Sequence, residues 1–392
     1  MTKLLAGTSR RDVTPEVGVY LGGYSKRNVP STGVHDPLFS RAVYLTDGIG
    51  EALIIGNDQV CLSNVMTPGY LDVVRELIES KTGVKQDNMI IFATHTHGAP
   101  DPFGRFGPNE KNTRYSKRLQ EEMVEVAVEA HSNTEEVKID WAKGSSDLGI
   151  NRRNPKDGPI DPELIIVRIS SPGGNVRALL VSYACHGVVL GPDNLFVTGD
   201  WIGHLESNLE ATYAPAVTMF LPGTAGNINP RTRDLEEKLA LGRDIYDRTG
   251  GTFEEMERIG SMMADEAQRT LSRATPSHEA KVRNRIANVN VKIENERILD
   301  MVKKEEIRTK VSVTQIGDLS IAGLPGEAFV EYGLRLKPIS KLVTVPLTLA
   351  NDYVGYLPTI EAFAEGGYEP RVSVGRTGVT AIMNAAENLV RS

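Results

Sequence analysis

Cysteine is almost missing from this 392-residue sequence, which contains only Cys61 and Cys185. They form no CxxC motif and no ladder of disulfides. One bridge is the most that they allow, and a reducing compartment is the simpler interpretation. Long apolar runs are missing as well, since no stretch approaches the roughly 18 residues that a membrane-spanning helix needs. The apolar run at the N-terminus is too short for a signal peptide. We therefore expect a cytoplasmic protein with no stable insertion into a membrane.

The sequence also has no excess of basic residues. Its 44 Lys and Arg against 51 Asp and Glu give a formal net charge of −7. This balance favours solubility and argues against nucleic acid or an anionic membrane as a partner. Local pairs such as Arg152-Arg153 can still bind an acidic group. Hydrophobic residues at 40% and charged residues at 24% are ordinary for a folded protein. The length suits one large domain or two of ordinary size.

Hydrophobic periodicity predicts an α/β protein. Residues 41–93 have the order strand, turn, strand, helix, strand, and such units place their chemistry just beyond the strand ends. The helix of this unit, 68–82, is predicted to present one apolar face, formed by Leu71, Val74, Leu77 and Ile78. Further strands are predicted at 162–170, 176–184, 217–221 and 319–324, and further helices at 113–132, 202–212, 234–274 and 379–391.

Three segments break this regular pattern. Residues 98–112 are rich in Gly and Pro and are predicted to form a loop that can serve as a lid. Near 276–310 the charges alternate, which indicates either a crossing between two lobes or an exposed hairpin with a short helix. Residues 351–378 are again rich in Gly and Pro. No tandem repeat is visible, although two apolar strands each stop at a histidine followed by glycine.

The first of these strands, 89–93, runs into Thr94-His95-Thr96-His97-Gly98. Two histidines at i and i+2 of an extended segment point to the same side. They can bind one metal jointly, or one can bind while the other acts in catalysis. A hydrogen-bonded pair at a strand end is the structural alternative.

Two other families use an HxH motif. The metallo-β-lactamase pattern HxHxDH fails, because Ala99 and Pro100 stand where Asp and His are required. A TIM-barrel amidohydrolase would place HxH after its first strand. The first predicted strand of this chain lies near residue 45, well before the HxH motif, so a TIM barrel is kept only as a second interpretation.

His186 ends the second apolar strand and should emerge at the same edge as His95. A lone histidine of this kind can also be a satisfied core residue. A zinc hydrolase needs, besides imidazoles, an oxygen ligand and an open position for water.

With these histidines in place, the chain resembles the catalytic domain of the neutral (non-lysosomal) ceramidase family. The matching segments run in order over nearly the whole length. They are Gly33-Val-His35 with Arg41-Ala, Thr94–Pro100, Gly149-Ile-Asn-Arg152, Ala184-Cys-His-Gly187, Gly199-Asp200, Gly223–Pro230, Leu324-Pro-Gly-Glu327 with Leu334-Arg335, and Gly355-Tyr356 with Tyr368.

The resemblance implies that His95, His186, Glu327 and Tyr356 bind Zn²⁺. This set leaves room for a water whose pKa the metal lowers toward about 7. Glu327 could instead cap a following helix, and Tyr356 could pack in a loop.

The resemblance further implies that His97, Arg152 and Tyr368 hold the scissile carbonyl or the leaving group. Such donors can be worth about 3–4 kcal/mol each. Arg152 could instead form a surface salt bridge. Asp200 could accept a hydrogen bond from the outer nitrogen of a ligand imidazole, or it could cap the helix after it.

Two departures from the family matter. Its Gly-Asp-Val-Ser-Pro segment reads Gly226-Asn-Ile-Asn-Pro230 here, which argues against a serine nucleophile and for a metal-bound water. The larger members also carry a C-terminal β-sandwich and a secretion signal. We expect neither, but a single large catalytic domain over 1–392 with mixed β-sheets layered with helices.

The sequence thus predicts a zinc-dependent amidohydrolase that cleaves a linear N-acyl bond of a small-molecule substrate. We expect that substrate to be smaller or more polar than ceramide. Charged residues are predicted to roof the site, namely Asp101, Arg105, Glu361, Glu365 and Glu369. An esterase or deacylase of the same design and a non-catalytic metal-dependent binding protein are the alternatives. A homo-oligomer is compatible with the sequence.

Overall fold

The computed structural model of the chain describes residues 3–104, 109–241, 250–278 and 280–392. The helices are α1 Tyr70–Thr82, α2 Glu110–Ser132, α3 Asp200–Thr212, α4 Arg233–Ala240, α5 Phe253–Leu271, α6 Glu296–Val302, α7 Val330–Leu336, α8 Ile360–Glu365 and α9 Arg376–Arg391.

The strands include many short ones as well as the long strands of three sheets. They are β1 Leu5–Asp12, β2 Gly33–Val34, β3 Phe39–Thr46, β4 Glu51–Asn57, β5 Met89–Ala93, β6 Glu135–Glu136, β7 Lys138–Ser145, β8 Gly149–Asn151, β9 Glu163–Ser170, β10 Val176–Tyr183, β11 Phe196–Val197, β12 Val217–Pro222, β13 Ile228–Pro230, β14 Thr275–Pro276, β15 Val282–Lys292, β16 Glu306–Ile316, β17 Leu319–Gly323, β18 Glu327–Ala328, β19 Val343–Leu347 and β20 Tyr356–Leu357.

The three larger sheets repeat one topology. Their strand orders are β5-β4-β3-β1-β6, β12-β10-β9-β7-β14 and β15-β16-β17-β19. In each sheet, antiparallel strands lead to a final parallel pair whose connection contains a helix. The helices of these connections are α1, α3 and α7. Because parallel strands end at the same edge of a sheet, each unit brings the residues after its last two strands together. The mixed α/β class predicted from the sequence is confirmed.

The sheets enclose one shared apolar core, and helices cover their outer faces. The shared core takes side chains from all three sheets, for example Ile54, Leu180 and Ile321. Helices α1 and α2 pack on the first sheet, α3 and α5 on the second, and α7 and α9 on the third. Strand β5 is buried throughout, as its wholly apolar sequence predicts.

Most predicted elements are present, with some corrections. Segment 276–310 contributes to a long hairpin, β15 with β16, that carries the short helix α6, but β16 is largely buried in the third sheet and the hairpin is not exposed as a whole. On α1, Leu71, Val74 and Ile78 are buried, but Leu77 is 46% exposed and lies off the predicted face. Residues 105–108 of the predicted lid and 242–249 of the predicted helix 234–274 lie outside the described residues.

Cys61 and Cys185 are both buried, and no disulfide joins them. Within the part of the chain that the structure describes, no helix has the length and apolar character to cross a membrane.

Candidate metal centre

Three strand ends meet at one point. His95 and His97 follow β5, His186 follows β10, and Glu327 lies after β17 in the short strand β18. A parallel bridge between Thr96 and Gly187 joins the first two segments, so the histidines on either side of it converge. His95 has a φ of 68°, a left-handed conformation that costs a non-glycine residue about 1–2 kcal/mol. Such strain is typical of functional positions.

The three imidazoles form the centre of this site. One ring nitrogen from each of His95, His97 and His186 lies within 4.8 Å of those from the other two. The Nε2 atoms of His95 and His97 are 3.3 Å apart. Glu327 Oε2 lies 3.2 Å from His95 Nε2 and 3.1 Å from His186 Nε2. Four possible ligand atoms therefore face one another across a small space.

Main-chain carbonyls orient two of the rings. His95 Nδ1 lies 2.5 Å from Val60 O, and His186 Nδ1 lies 2.9 Å from Ile228 O. Because a carbonyl oxygen can only accept, Nδ1 carries the hydrogen in both rings. In the neutral tautomer, Nε2 then presents its lone pair to Glu327. Outer hydrogen bonds of this kind are the usual way in which proteins orient metal-binding imidazoles.

The charges at the centre favour a bound cation. Burial lowers the pKa of His186 to about 4, and burial also lowers the pKa of His97 well below its usual value. Burial alone would raise the pKa of Glu327, but its contacts with His95 and His186 lower that pKa well below the ordinary range. An ionised carboxylate at this distance from imidazole nitrogens is satisfied by a proton or by a metal ion placed between them.

Glu327 and Tyr356 are neighbours in a parallel ribbon formed by β18 and β20. The Tyr356 side chain is buried beside Glu327 and the guanidinium of Arg152. Burial and the charge of Glu327 raise the pKa of Tyr356 well above 10, and the nearby guanidinium of Arg152 opposes this shift. Glu327 is thus next to the imidazoles, and Tyr356 is next to Glu327. Glu327 caps no helix, because Phe329 takes the cap position of α7.

Arg152 is buried at the centre and does not form a surface salt bridge. Its guanidinium donates to Glu369 Oε1 at 2.9 Å, to Asn229 Oδ1 at 3.2 Å and to the Gly226 carbonyl at 2.6 Å. It also lies over the Tyr356 ring, 5.5 Å from its centroid. These contacts hold the positive charge beside the phenol.

Tyr368 lies at the outer edge of the centre. Its side chain is 46% exposed, and its ring centroid is 5.7 Å from that of Tyr356. The structure therefore brings together all seven residues predicted as ligands or catalytic groups. Their division into the two roles stays a prediction.

Asp200 requires a correction. Its carboxylate accepts hydrogen bonds from the backbone N–H groups of Val189, Leu190 and Trp201, while the outer nitrogens of His95 and His186 are paired with carbonyls. Asp200 is therefore not the acceptor for a ligand imidazole. It is the first residue of α3, and its hydrogen bonds to Val189 and Leu190 hold the segment that follows His186. The preceding residue, Gly199, takes the cap position.

Sequence reasoning missed three contributors. Tyr353 donates from its hydroxyl to Glu327 Oε1 at 2.7 Å, and the ring of Tyr24 packs edge-on against His97 at 4.7 Å. Gly23 lies so close to His97 that an added Cβ would be 2.3 Å from its ring. The spacing of Tyr353, three residues before Tyr356, was visible in the sequence. The approach of residues 23 and 24 comes from tertiary folding alone.

This arrangement fits a divalent transition metal such as zinc. Imidazole and carboxylate are its usual ligands with an open position in catalytic sites. His97 Nδ1 is buried, and no described residue pairs with it. His95, His186, Glu327 and Tyr356 could hold the ion, with His97 at its side as a further ligand or a catalytic group.

Comparisons with known proteins point to one family. A family profile described as "Neutral/alkaline non-lysosomal ceramidase, N-terminal" matches residues 4–309. Neutral ceramidase A of Dictyostelium discoideum is 23% identical over 332 residues, which cover 71% of this chain and 45% of that protein. The neutral ceramidase of Mycobacterium tuberculosis is 24% identical over 308 residues, which cover 70% of this chain and 46% of that protein. The chain therefore spans less than half the length of these two relatives.

Solved structures agree on the fold. Neutral ceramidase from Pseudomonas aeruginosa superimposes with a TM-score of 0.81 at 17% identity, over 99% of this chain and 75% of that chain. At this identity the match establishes a shared fold.

Proposed function

Since the chain belongs to the neutral/alkaline non-lysosomal ceramidase family, we propose that it hydrolyses the amide bond of an N-acyl substrate at a zinc site. His95, His186, Glu327 and Tyr356 hold the ion in this proposal. The observation that carries it is the convergence of imidazole nitrogens on an ionised, buried carboxylate.

A zinc ion held there would lower the pKa of a bound water, so that this water can act as a nucleophile at neutral pH. The chain's own residues supply position and charge. The neutral imidazole of His97 is half-buried at the edge of the centre, where it can hold a proton during departure of the amine. Tyr368 offers an exposed phenol beside Tyr356 for a hydrogen bond to the carbonyl oxygen. Arg152 contributes positive charge through Tyr356, because Glu369, Asn229 and Gly226 already engage its guanidinium.

The walls of the centre favour an apolar acyl group. The half-buried rings of Tyr24, Phe103 and Tyr353 and the exposed ring of Tyr368 lie around it. The sequence-based expectation of a small, polar substrate relied instead on charged walls.

Those of the charged residues that the structure describes are engaged away from the imidazoles. Glu361 and Glu365 line a separate cavity of about 790 Å³, and Glu369 is paired with Arg152 and Arg153. Asp101 is 4% exposed, and Arg105 lies outside the described residues. We therefore propose an N-acyl lipid of the ceramide type as the substrate.

The proposed activity can be tested directly. Protein prepared without chelator should release fatty acid from N-acylsphingosine, lose this activity on dialysis against a zinc chelator, and regain it with added zinc. Activity that survives complete loss of metal would contradict the proposal. Absence of any amide hydrolysis by the metal-loaded protein would contradict it as well.

Acyl-chain length gives a sharper test of the substrate class. We expect N-dodecanoylsphingosine to be cleaved at least about tenfold more efficiently in kcat/KM than N-acetylsphingosine, a difference of about 1.4 kcal/mol. Two further buried methylenes at about 0.8 kcal/mol each would account for it. Phe103→Ala should reduce the ratio. Equal rates, or a preference for the acetyl compound, would contradict the lipid substrate and favour a small, polar one.

Gly23 offers a test of the position of His97. Gly23→Ala places a Cβ against the imidazole and at a φ of 91°. A displacement of about 1 Å can cost about 100-fold in rate, and we expect a loss of that size in kcat/KM. Gly48→Ala is the matched control, since Gly48 has a φ of 82° but nothing within 4 Å of an added Cβ. Similar losses of kcat/KM in the two variants would show that backbone strain alone causes the effect.

A further inference from the structure

Tyr353 contacts the side of Glu327 that faces away from the imidazoles. Its hydroxyl is 2.7 Å from Oε1, whereas Oε2 lies 3.2 Å from His95 Nε2 and 3.1 Å from His186 Nε2. The two carboxylate oxygens therefore have different partners. One is occupied by a phenol, and the other faces the space between the imidazoles.

The backbone on both sides of Tyr353 is firmly anchored. Its carbonyl accepts from Ser63 Oγ at 2.9 Å, and its N–H donates to Asp352 Oδ1 at 2.8 Å. Asp352 is itself buried and accepts from Ser63, Asn64 and Thr309.

The side chain of Tyr353 is held as well. Its ring stacks on Phe103 with a centroid separation of 6.0 Å. The position of the hydroxyl is thus set by residues from three separate parts of the chain.

We propose that Tyr353 is a positioning residue that makes Glu327 bind the metal through Oε2 alone. This inference rests on the metal site proposed above. A carboxylate without a fixed outer partner can rotate or bind through both oxygens, which would occupy the position needed by water. Partners of this kind typically contribute about 10- to 100-fold in metal affinity.

Tyr353→Phe tests the inference, because it keeps the ring and removes only the hydroxyl. Competition with a chelator should show zinc bound about 10- to 100-fold more weakly. With Co²⁺ in place of zinc, the visible absorption bands should shift. Tyr332→Phe is the matched control, since its buried hydroxyl donates to the Pro358 carbonyl, away from the imidazoles. It should change neither readout.

A double variant distinguishes positioning from a general loss of structure. If Tyr353 acts through Glu327, then Tyr353→Phe should cause no further loss of affinity in a Glu327→Gln background. Full additivity of the two losses would overturn the inference, and so would wild-type affinity in Tyr353→Phe. Failure of the wild-type protein to bind zinc at all would instead overturn the proposed function.

Discussion

His95→Ala is expected to lose both zinc and hydrolysis, whereas His97→Ala is expected to keep its zinc and lose most of its turnover. His95 Nε2 faces Glu327 and its Nδ1 is fixed by the Val60 carbonyl, as suits a ligand. His97 has no such outer partner and is half-buried. Loss of a group that stabilises the transition state costs about 10²- to 10³-fold in kcat.

The measurement is zinc content per chain alongside kcat for each variant. His204→Ala serves as the control, since its ring contacts Ser261 on α5 and takes no part in the centre. It should leave zinc content unchanged. Equal zinc in the His95 and His97 variants would show that the division of roles is wrong. Loss of zinc from both would instead indicate a centre with three imidazole ligands.

Arg41→Met is expected to destabilise the fold by about 3–5 kcal/mol, because it leaves buried carboxylates without their cation. Arg41 Nη1 lies 2.8 Å from Asp58 Oδ2 and 2.9 Å from Glu206 Oε2, and Nε lies 3.4 Å from Glu210 Oε1. All four side chains are at most 8% exposed. Although burial opposes it, these three carboxylates raise the guanidinium pKa. The cluster joins β3 of the first sheet to α3 on the second.

The urea midpoint of unfolding measures this loss. Arg168→Met is the comparison, because Arg168 forms a partly exposed pair with Asp140 at 2.7 Å. Such pairs contribute about 0–1 kcal/mol. Comparable shifts in the two variants would mean that the buried cluster has no special weight. A large shift for Arg41 alone would confirm that it couples the first two sheets.

The fold was predictable as far as local patterns reach. Periodicity and breakers located β5 and α1, since these signals lie within short windows of sequence. The alternating charge near 276–310 left the hairpin as one of two alternatives. The threefold repetition of one sheet topology was not visible, because each unit fulfils it with different residues. Leu77 was placed wrongly because a helical face read from sequence does not reveal how wide the covering surface is.

The site was predictable where its residues follow strands, and less so elsewhere. His95, His97 and His186 were identified from an apolar run that ends in histidine, whereas Glu327 and Tyr356 needed the family resemblance. Gly23 and Tyr353 were missed because their roles depend on contacts with His97 and Glu327, residues that are distant in sequence. Asp200 was misassigned because carbonyls of Val60 and Ile228 fill the role given to it.

X-ray absorption spectroscopy at the zinc edge, on protein prepared without chelator, tests the central claim most directly. The account predicts about one zinc per chain, bound by nitrogen and oxygen with imidazole scattering and no sulfur. It also predicts that Glu327→Gln and His186→Ala reduce this occupancy, while the His204→Ala control retains it. Absence of a transition metal from the wild-type protein, or zinc whose ligation is unaffected by both substitutions, would contradict it.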